Sequence, residues 1–184
     1  RSASSRAPVD PTISGQRRKT VIVPTKRGEL FVLDRETGEP ITEVTERPVP
    51  QTDLPNERSS ATQPFSTGMP SFAYPLIRDE DTIGITPFDQ MACRTAFHQL
   101  RYEGPMTPPS VQGTLLYPGP AGGMNWGSVA VDEQRQLLVV NNLHLPWQIK
   151  MIPREEDIAR NEAQDARRGY GIGGPQRGTP FAAR

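Results

Sequence analysis

The stretch "KTVIVPTKRGELFVLDRETGEP", residues 19 to 40, is the part of this sequence from which the fold is read. "KTVIVPT" and "GELFVLD" are short runs rich in Val, Ile, Leu and Phe, each bounded by turn residues, and together they predict a β-hairpin. "DRETGEPI" then turns the chain into a third extended piece. By propensity alone Lys26 is a solvated residue of the hairpin turn.

Further along the chain, "WGSVAVDEQRQLLVVNN" repeats the plan, with two β-rich segments flanking the turn "DEQRQ", and "GTLLYPG" supplies another strand signal. A strand, a turn, a strand and then Asp-x-x-Thr-Gly-Glu is the succession of one β-propeller blade. The fold class expected is therefore all-β, interrupted by helical and Pro-rich insertions. Residues 1–17 are polar and rich in turn formers, and read as a linker or the end of an upstream blade. The propeller-like part runs over 18–184. Within it, residues 43–113 form an insertion, where "RPVPQTDLP" favours extended or polyproline II backbone. A helix is expected over 87–101: Thr86 can cap it, Pro87 suits its first position, and Asp89 favours its N-terminus. Met91, Ala92, Ala96 and Leu100 share its apolar face. A solvated surface helix is expected over 154–168, with Glu156 and Arg160 paired at i,i+4 and little to bury.

Composition narrows the function. Of 184 residues, 34% are apolar, and 20 prolines and 16 glycines leave much of the backbone to turns, so the chain reads as part of a larger domain. The 21 basic and 21 acidic side chains balance to zero, which removes the electrostatic footprint of a nucleic-acid binder. A lone Cys93 excludes an internal disulfide and a cysteine-built metal site, and His98 and His144 are too few for a multi-histidine zinc site. No apolar run approaches the roughly 18 residues that span a bilayer, and "RSASSRAPVD" lacks the apolar core of a signal peptide.

Several residues could carry chemistry. Ser128 and His144 lack a nucleophile elbow, so a structural role is favoured over a triad. Asp79, Glu80 and Asp81 read as a solvated loop in preference to a divalent-ion site. The glycine-rich tail "GYGIGGPQRG" lacks the strand-turn-helix context of a dinucleotide fingerprint. Asn125 and Trp126 follow a glycine pair, where flexible backbone can bring an amide and a flat aromatic up to a ligand; a blade-closing tryptophan beside a turn asparagine is the plainer account. Asn141 and Asn142 end a strand, a position for ligand-facing polar groups at a propeller mouth, or simply for turning the chain.

Taken in order, "PTKRGELFVLDRETGEPI", "TPFDQMACRTAFHQLRYEGPMTPPSVQGTL", "GGMNWGSVAVD" and "LVVNNLHLP" resemble the membrane-bound pyrroloquinoline quinone dehydrogenases of the glucose and quinate/shikimate type. The resemblance covers the chain from about residue 7 onward. It implies an eight-bladed quinoprotein β-propeller, of which this chain holds roughly two to three blades. It further implies hydride transfer from a sugar or cyclic polyol to the quinone, a calcium or magnesium ion beside it, and ubiquinone as electron acceptor at the periplasm-facing inner membrane.

Carried over residue by residue, the resemblance makes Lys26 the lysine bonded to the quinone oxygens. Asn125 and Trp126 would sit at the cofactor, and Asn141 matches a cofactor-contacting asparagine. The family's aspartate base is expected upstream of Arg1, so no catalytic residue is assigned within the chain, and the metal ligands stay unassigned. The remaining blades are then necessary partners, and the segment alone should be inactive. Two rival readings are a non-catalytic propeller scaffold, which has no reason to place Lys26, Asn125 and Asn141 around one cavity, and a carbohydrate-binding β domain, which would bind sugar without quinone.

Overall fold

Residues 20–34 form the expected hairpin because their side chains alternate. In the computed structural model Thr20, Ile22 and Pro24, then Leu30 and Val32, point to the buried side while their neighbours are more exposed. The structure describes residues 7–73, 75–125, 127, 129–163 and 174–184. In chain order the elements are β1 (Ala7–Val9), β2 (Thr12–Ile13), β3 (Gln16–Arg17), β4 (Thr20–Pro24), β5 (Leu30–Asp34), β6 (Val44–Pro48) and β7 (Thr62–Ser66). They continue with α1 (Pro87–Gln99), β8 (Thr114–Leu116), β9 (Val129–Asp132), β10 (Leu137–Val140), β11 (Trp147–Ile149), β12 (Met151–Pro153), α2 (Arg154–Ala163) and β13 (Phe181–Ala183). A single 3-10 turn covers Asp79–Asp81.

The chain divides into two compact units. The first comprises residues 1–48, 62–75 and 117–145. Its main sheet is antiparallel in the order β1-β4-β5, with Val23 opposite Phe31 and Pro24 opposite Leu30. Ala7–Val9, inside the stretch read as a linker or an upstream blade end, is thus a strand of this sheet. β9 and β10 form the second predicted hairpin, Asp132 opposite Leu137. The core consists of Val9, Ile22, Leu30, Val32 and Met124, with Ile41, Phe72, Val131 and Leu138 packed around it. At the end of β5, Asp34 explains the Asp-x-x-Thr-Gly pattern: its Oδ1 accepts from the backbone N–H groups of Glu36 (2.8 Å) and Thr37 (3.0 Å), and its carbonyl from Gly38. The stretch 43–113, read as an insertion with extended or polyproline II backbone, contains the paired strands β6 and β7. Alternation is masked there because Glu46, Arg47 and Pro48 leave one strand largely exposed.

The second unit comprises residues 49–61, 76–116 and 146–184. β8 pairs with β11, and β12 with β13, whose Ile152, Phe181, Ala182 and Ala183 are buried. α1 begins as the sequence predicts: Thr86 Oγ1 accepts from Asp89 N–H (3.2 Å) while Asp89 Oδ2 accepts from Thr86 N–H (3.0 Å). It ends at Gln99, two residues before the expected boundary, where Leu100 turns extended at ψ 146. Its expected core face is corrected by the structure, since Met91, Ala92 and Ala96 are exposed. The helix is held instead near its C-terminal end, where the Phe97 ring meets Tyr102 edge-on at 6.2 Å.

α2 does carry the Glu156–Arg160 ion pair at 2.6 Å. Glu155, Glu156, Ile158, Ala159 and Arg160 are exposed, as expected of a solvated helix, but Asp157 is only 1% exposed, and its Oδ1 accepts from Arg184 Nη2 (2.9 Å) and Nε (3.1 Å). The expected continuation to residue 168, and residues 169–173 of the glycine-rich tail, lie outside the described residues.

Candidate functional site

Within the first unit, four segments distant in sequence are tied around the β4–β5 turn. Thr25 and Glu29 close the turn, with Thr25 N–H donating to Glu29 O (2.9 Å), leaving Lys26, Arg27 and Gly28 as its three-residue tip. Gly28 takes φ +84, and a Cβ there would lie 2.6 Å from the Phe72 carbonyl oxygen, so the 71–73 segment passes directly against the tip. Phe72 N–H in turn donates to Gly28 O (2.8 Å).

On the other side, the loop 119–125 meets Lys26. Gly123 N–H donates to Lys26 O (2.7 Å), and Leu143 N–H donates to Gly123 O (3.0 Å), which draws in the segment after β10. Met124, 1% exposed, anchors this loop in the core and places half-buried Asn125 immediately beyond it. The structure thus joins the turn carrying Lys26 to the loop carrying Asn125 and to the strand end at Asn141 and Asn142. Trp126, assigned to the same site, and Ser128 lie outside the described residues.

The two cations of the tip diverge. The Arg27 guanidinium lies 4.5 Å over the Phe65 ring, donates from Nη2 to Pro64 O (2.6 Å), and pairs with the buried Glu29 carboxylate. Burial pushes Glu29 above the ordinary carboxyl range, outweighing the opposing pull of Arg27 and of a backbone hydrogen bond from Ser66. Burial likewise lowers Arg27. Lys26 is exposed and turns the other way, donating from Nζ to Pro120 O at 2.8 Å. One turn therefore has a structural cation and an available one.

At the strand end, Asn141 is exposed, whereas its neighbour Asn142 is turned inward. Asn142 Nδ2 donates to Phe72 O (2.7 Å) and lies 3.4 Å from His144 Nε2. The bond to a carbonyl fixes the amide orientation, because a flipped amide would set oxygen against oxygen. Among the described residues, Asn142 Oδ1 is then buried with no partner. A buried amide oxygen left unpaired costs about 1–3 kcal/mol, which a ligand's N–H or O–H would recover. Sequence reading placed Asn142 beside the matched Asn141 without distinguishing them; its orientation depends on Phe72, 70 residues away.

Among the described residues, no group of three or more His, Cys, Asp or Glu side chains is arranged to hold a metal. The acidic run at Asp79–Asp81 is engaged locally: Asp81 Oδ2 accepts from Arg78 N–H (2.8 Å), and His98 Nε2 lies 3.4 Å from Asp79. No helix of the described residues is long and apolar enough to cross a membrane.

Comparison with known proteins gives this arrangement a family. Residues 4–184 match the family model described as glucose/ethanol/alcohol dehydrogenase, β-propeller domain, a pyrroloquinoline quinone (PQQ) family. The chain is 39% identical over 174 residues to quinate/shikimate dehydrogenase (quinone) of Acinetobacter baylyi, covering 93% of this chain and 21% of that protein. It is 40% identical over 178 residues to quinoprotein glucose dehydrogenase of Escherichia coli, covering 94% and 22%. It is 43% identical over 148 residues to the glycerol dehydrogenase large subunit of Gluconobacter oxydans, covering 79% and 20%. The chain spans about a fifth of the length of these relatives. No solved structure matches it. With residues 4–184 matched by the family model and its small sheets left open, the chain belongs to the PQQ dehydrogenase β-propeller family and forms part of one such propeller.

Proposed function

We propose that the full-length protein carrying this segment is a PQQ-dependent dehydrogenase that oxidises a sugar or cyclic polyol, of the glucose or quinate/shikimate kind, and delivers electrons to ubiquinone at the periplasmic face of the inner membrane. The names of its relatives support the substrate class and a quinone acceptor. The observation carrying the proposal is the junction of Lys26 with the loop leading to Asn125: its ammonium donates to Pro120 O, 94 residues away, and its carbonyl accepts from Gly123 N–H.

The residues present fit a flat, anionic, oxygen-rich cofactor. Lys26 offers an exposed ammonium for its oxygens, and Gly122 and Gly123 are buried in the loop that meets Lys26; Asn142 Oδ1, buried without a partner among the described residues, would accept only from an N–H or O–H of the ligand. Bound there, PQQ supplies a two-electron acceptor for hydride leaving the substrate's carbinol carbon. Lys26 would hold the quinone oxygens by charge-assisted hydrogen bonds and stabilise negative charge gathering on them. Asn125 would orient the polar edge, Trp126 would pack on the ring, and Asn141 would add a further contact at the strand end. The proton of the substrate hydroxyl falls to an aspartate upstream of Arg1. Among the described residues no group of three or more His, Cys, Asp or Glu side chains is arranged to hold a divalent cation, and its ligands stay unassigned.

Replacing Lys26 by alanine in the full-length protein removes the charged donor. PQQ-dependent dye reduction is expected to fall by about 10- to 100-fold, the equivalent of one lost charge-assisted hydrogen bond. Unchanged turnover and unchanged PQQ requirement would overturn the assignment.

A further inference from the structure

Gly122 is buried in the 119–125 loop at φ +74. A methyl group built on it would lie 2.5 Å from Lys26 Cγ, 2.6 Å from Lys26 Cβ and 2.9 Å from Lys26 Cδ. The lysine stem therefore lies across the one face where residue 122 has no side chain. The same loop also holds both ends of Lys26: Gly123 N–H donates to its carbonyl at 2.7 Å, and Pro120 O accepts from its ammonium at 2.8 Å.

Other glycines separate the two possible reasons for this one. Gly15, Gly38, Gly174 and Gly178 also have positive φ, yet a Cβ on any of them meets nothing within 4 Å. For those residues backbone conformation is the whole explanation. At Gly122 the conformational demand is joined by a steric one, and the atoms that impose it belong to Lys26.

We propose that Gly122 is a positioning residue for Lys26: by lacking a side chain it lets the lysine stem lie flat on the loop, so that the ammonium is held on Pro120 O with its other donors ready for the cofactor. The proposal rests on the cofactor role of Lys26 given above. A lysine side chain has about 2 kcal/mol of rotamer entropy, and pressing the stem against the loop removes part of that freedom before the ligand arrives. An ammonium has three donors, and the Pro120 carbonyl takes one. A methyl at residue 122 displaces the stem at its root, and a displacement there is magnified at Nζ.

The test is a double-mutant cycle on PQQ binding in the full-length apoprotein, measured by equilibrium dialysis against PQQ with magnesium present. Its members are wild type, Gly122→Ala, Lys26→Gly, which removes the stem from Cβ outward, and the pair together. The strain of alanine at φ +74 is present with and without PQQ, so it affects folding and drops out of the affinity ratio. Lys26→Gly is expected to weaken binding about tenfold or more, and Gly122→Ala about tenfold. With the stem gone, Gly122→Ala should change affinity by less than about twofold.

An equal loss from Gly122→Ala in both backgrounds, or no loss in the wild type, overturns the positioning role while leaving the cofactor role of Lys26 intact. Undiminished binding by Lys26→Gly alone overturns the cofactor role and the positioning role with it. Should Gly122→Ala fail to fold, thermal unfolding reads the same coupling: the pair should regain a cooperative transition because the methyl then has room. A pair that also fails to fold shows that the glycine serves the turn alone, and overturns the proposal.

Discussion

Lys26 and Arg27 are adjacent, identically charged at neutral pH, and used in opposite ways. Arg27 is committed to Glu29, Phe65 and the Pro64 carbonyl, whereas among the described residues Lys26 reaches only a loop carbonyl and retains donors for a ligand. Asp34 shows the same individuality among carboxylates. Two backbone N–H groups, of Thr37 and Glu36, hold it below the ordinary aspartate range. A carboxyl whose folded pKa is depressed stabilises the fold above its unfolded pKa, and that contribution is lost as pH falls through the folded value. Asp34→Asn should therefore lower the melting temperature at neutral pH. The gap to wild type should narrow as pH is taken through and below the ordinary aspartate value of about 3.9. Melting curves across that range in which the gap stays constant would contradict this.

The β4–β5 hairpin is held together by its tip as much as by its ladder. Glu29 is 5% exposed, and burial raises its pKa even beside Arg27, so the pair is costly to form and more costly to break. Glu29→Ala, which strands the guanidinium, is expected to destabilise the full-length protein by about 3–5 kcal/mol in urea unfolding. Arg27→Met with Glu29→Leu should recover most of that loss, because two apolar chains have no charge to desolvate. A double variant as unstable as Glu29→Ala would show that the pair contributes specific geometry that apolar packing cannot replace. In α2 the buried Asp157 plays the corresponding part, joined to Arg184 by two hydrogen bonds and set 3.5 Å from Arg154. Asp157→Ala should loosen the contact between α2 and the β12–β13 pair, read as faster amide exchange in those strands.

At the scale of the molecule, the chain is one portion of a larger propeller, and its surface shows it. Leu137 and Val139 of β10 are 54% and 63% exposed, and the sheets have unpaired edges. Expressed alone, the 184-residue segment is expected to self-associate, since open edges and apolar strand faces recruit further strands. A monomer on size exclusion with a single cooperative unfolding transition would contradict this. What the sequence determined by itself is what local chemistry dictates: the 19–34 hairpin with its glycine-closed tip, the Asp34 turn, the Thr86–Asp89 cap and the 129–140 hairpin all use neighbours a few residues apart. The strings around Lys26, Asn125, Trp126 and Asn141 also pointed to the family. The structure alone decided that β6 and β7 pair within an apparent insertion, that the apolar face of α1 stays exposed, and that α2 buries Asp157. It also decided that Asn142 is the member of its pair turned inward, and that Gly122 lies under Lys26. These depend on partners brought together only by folding, 70 residues apart for Asn142 and Phe72 and 94 for Lys26 and Pro120, and no local propensity encodes such contacts.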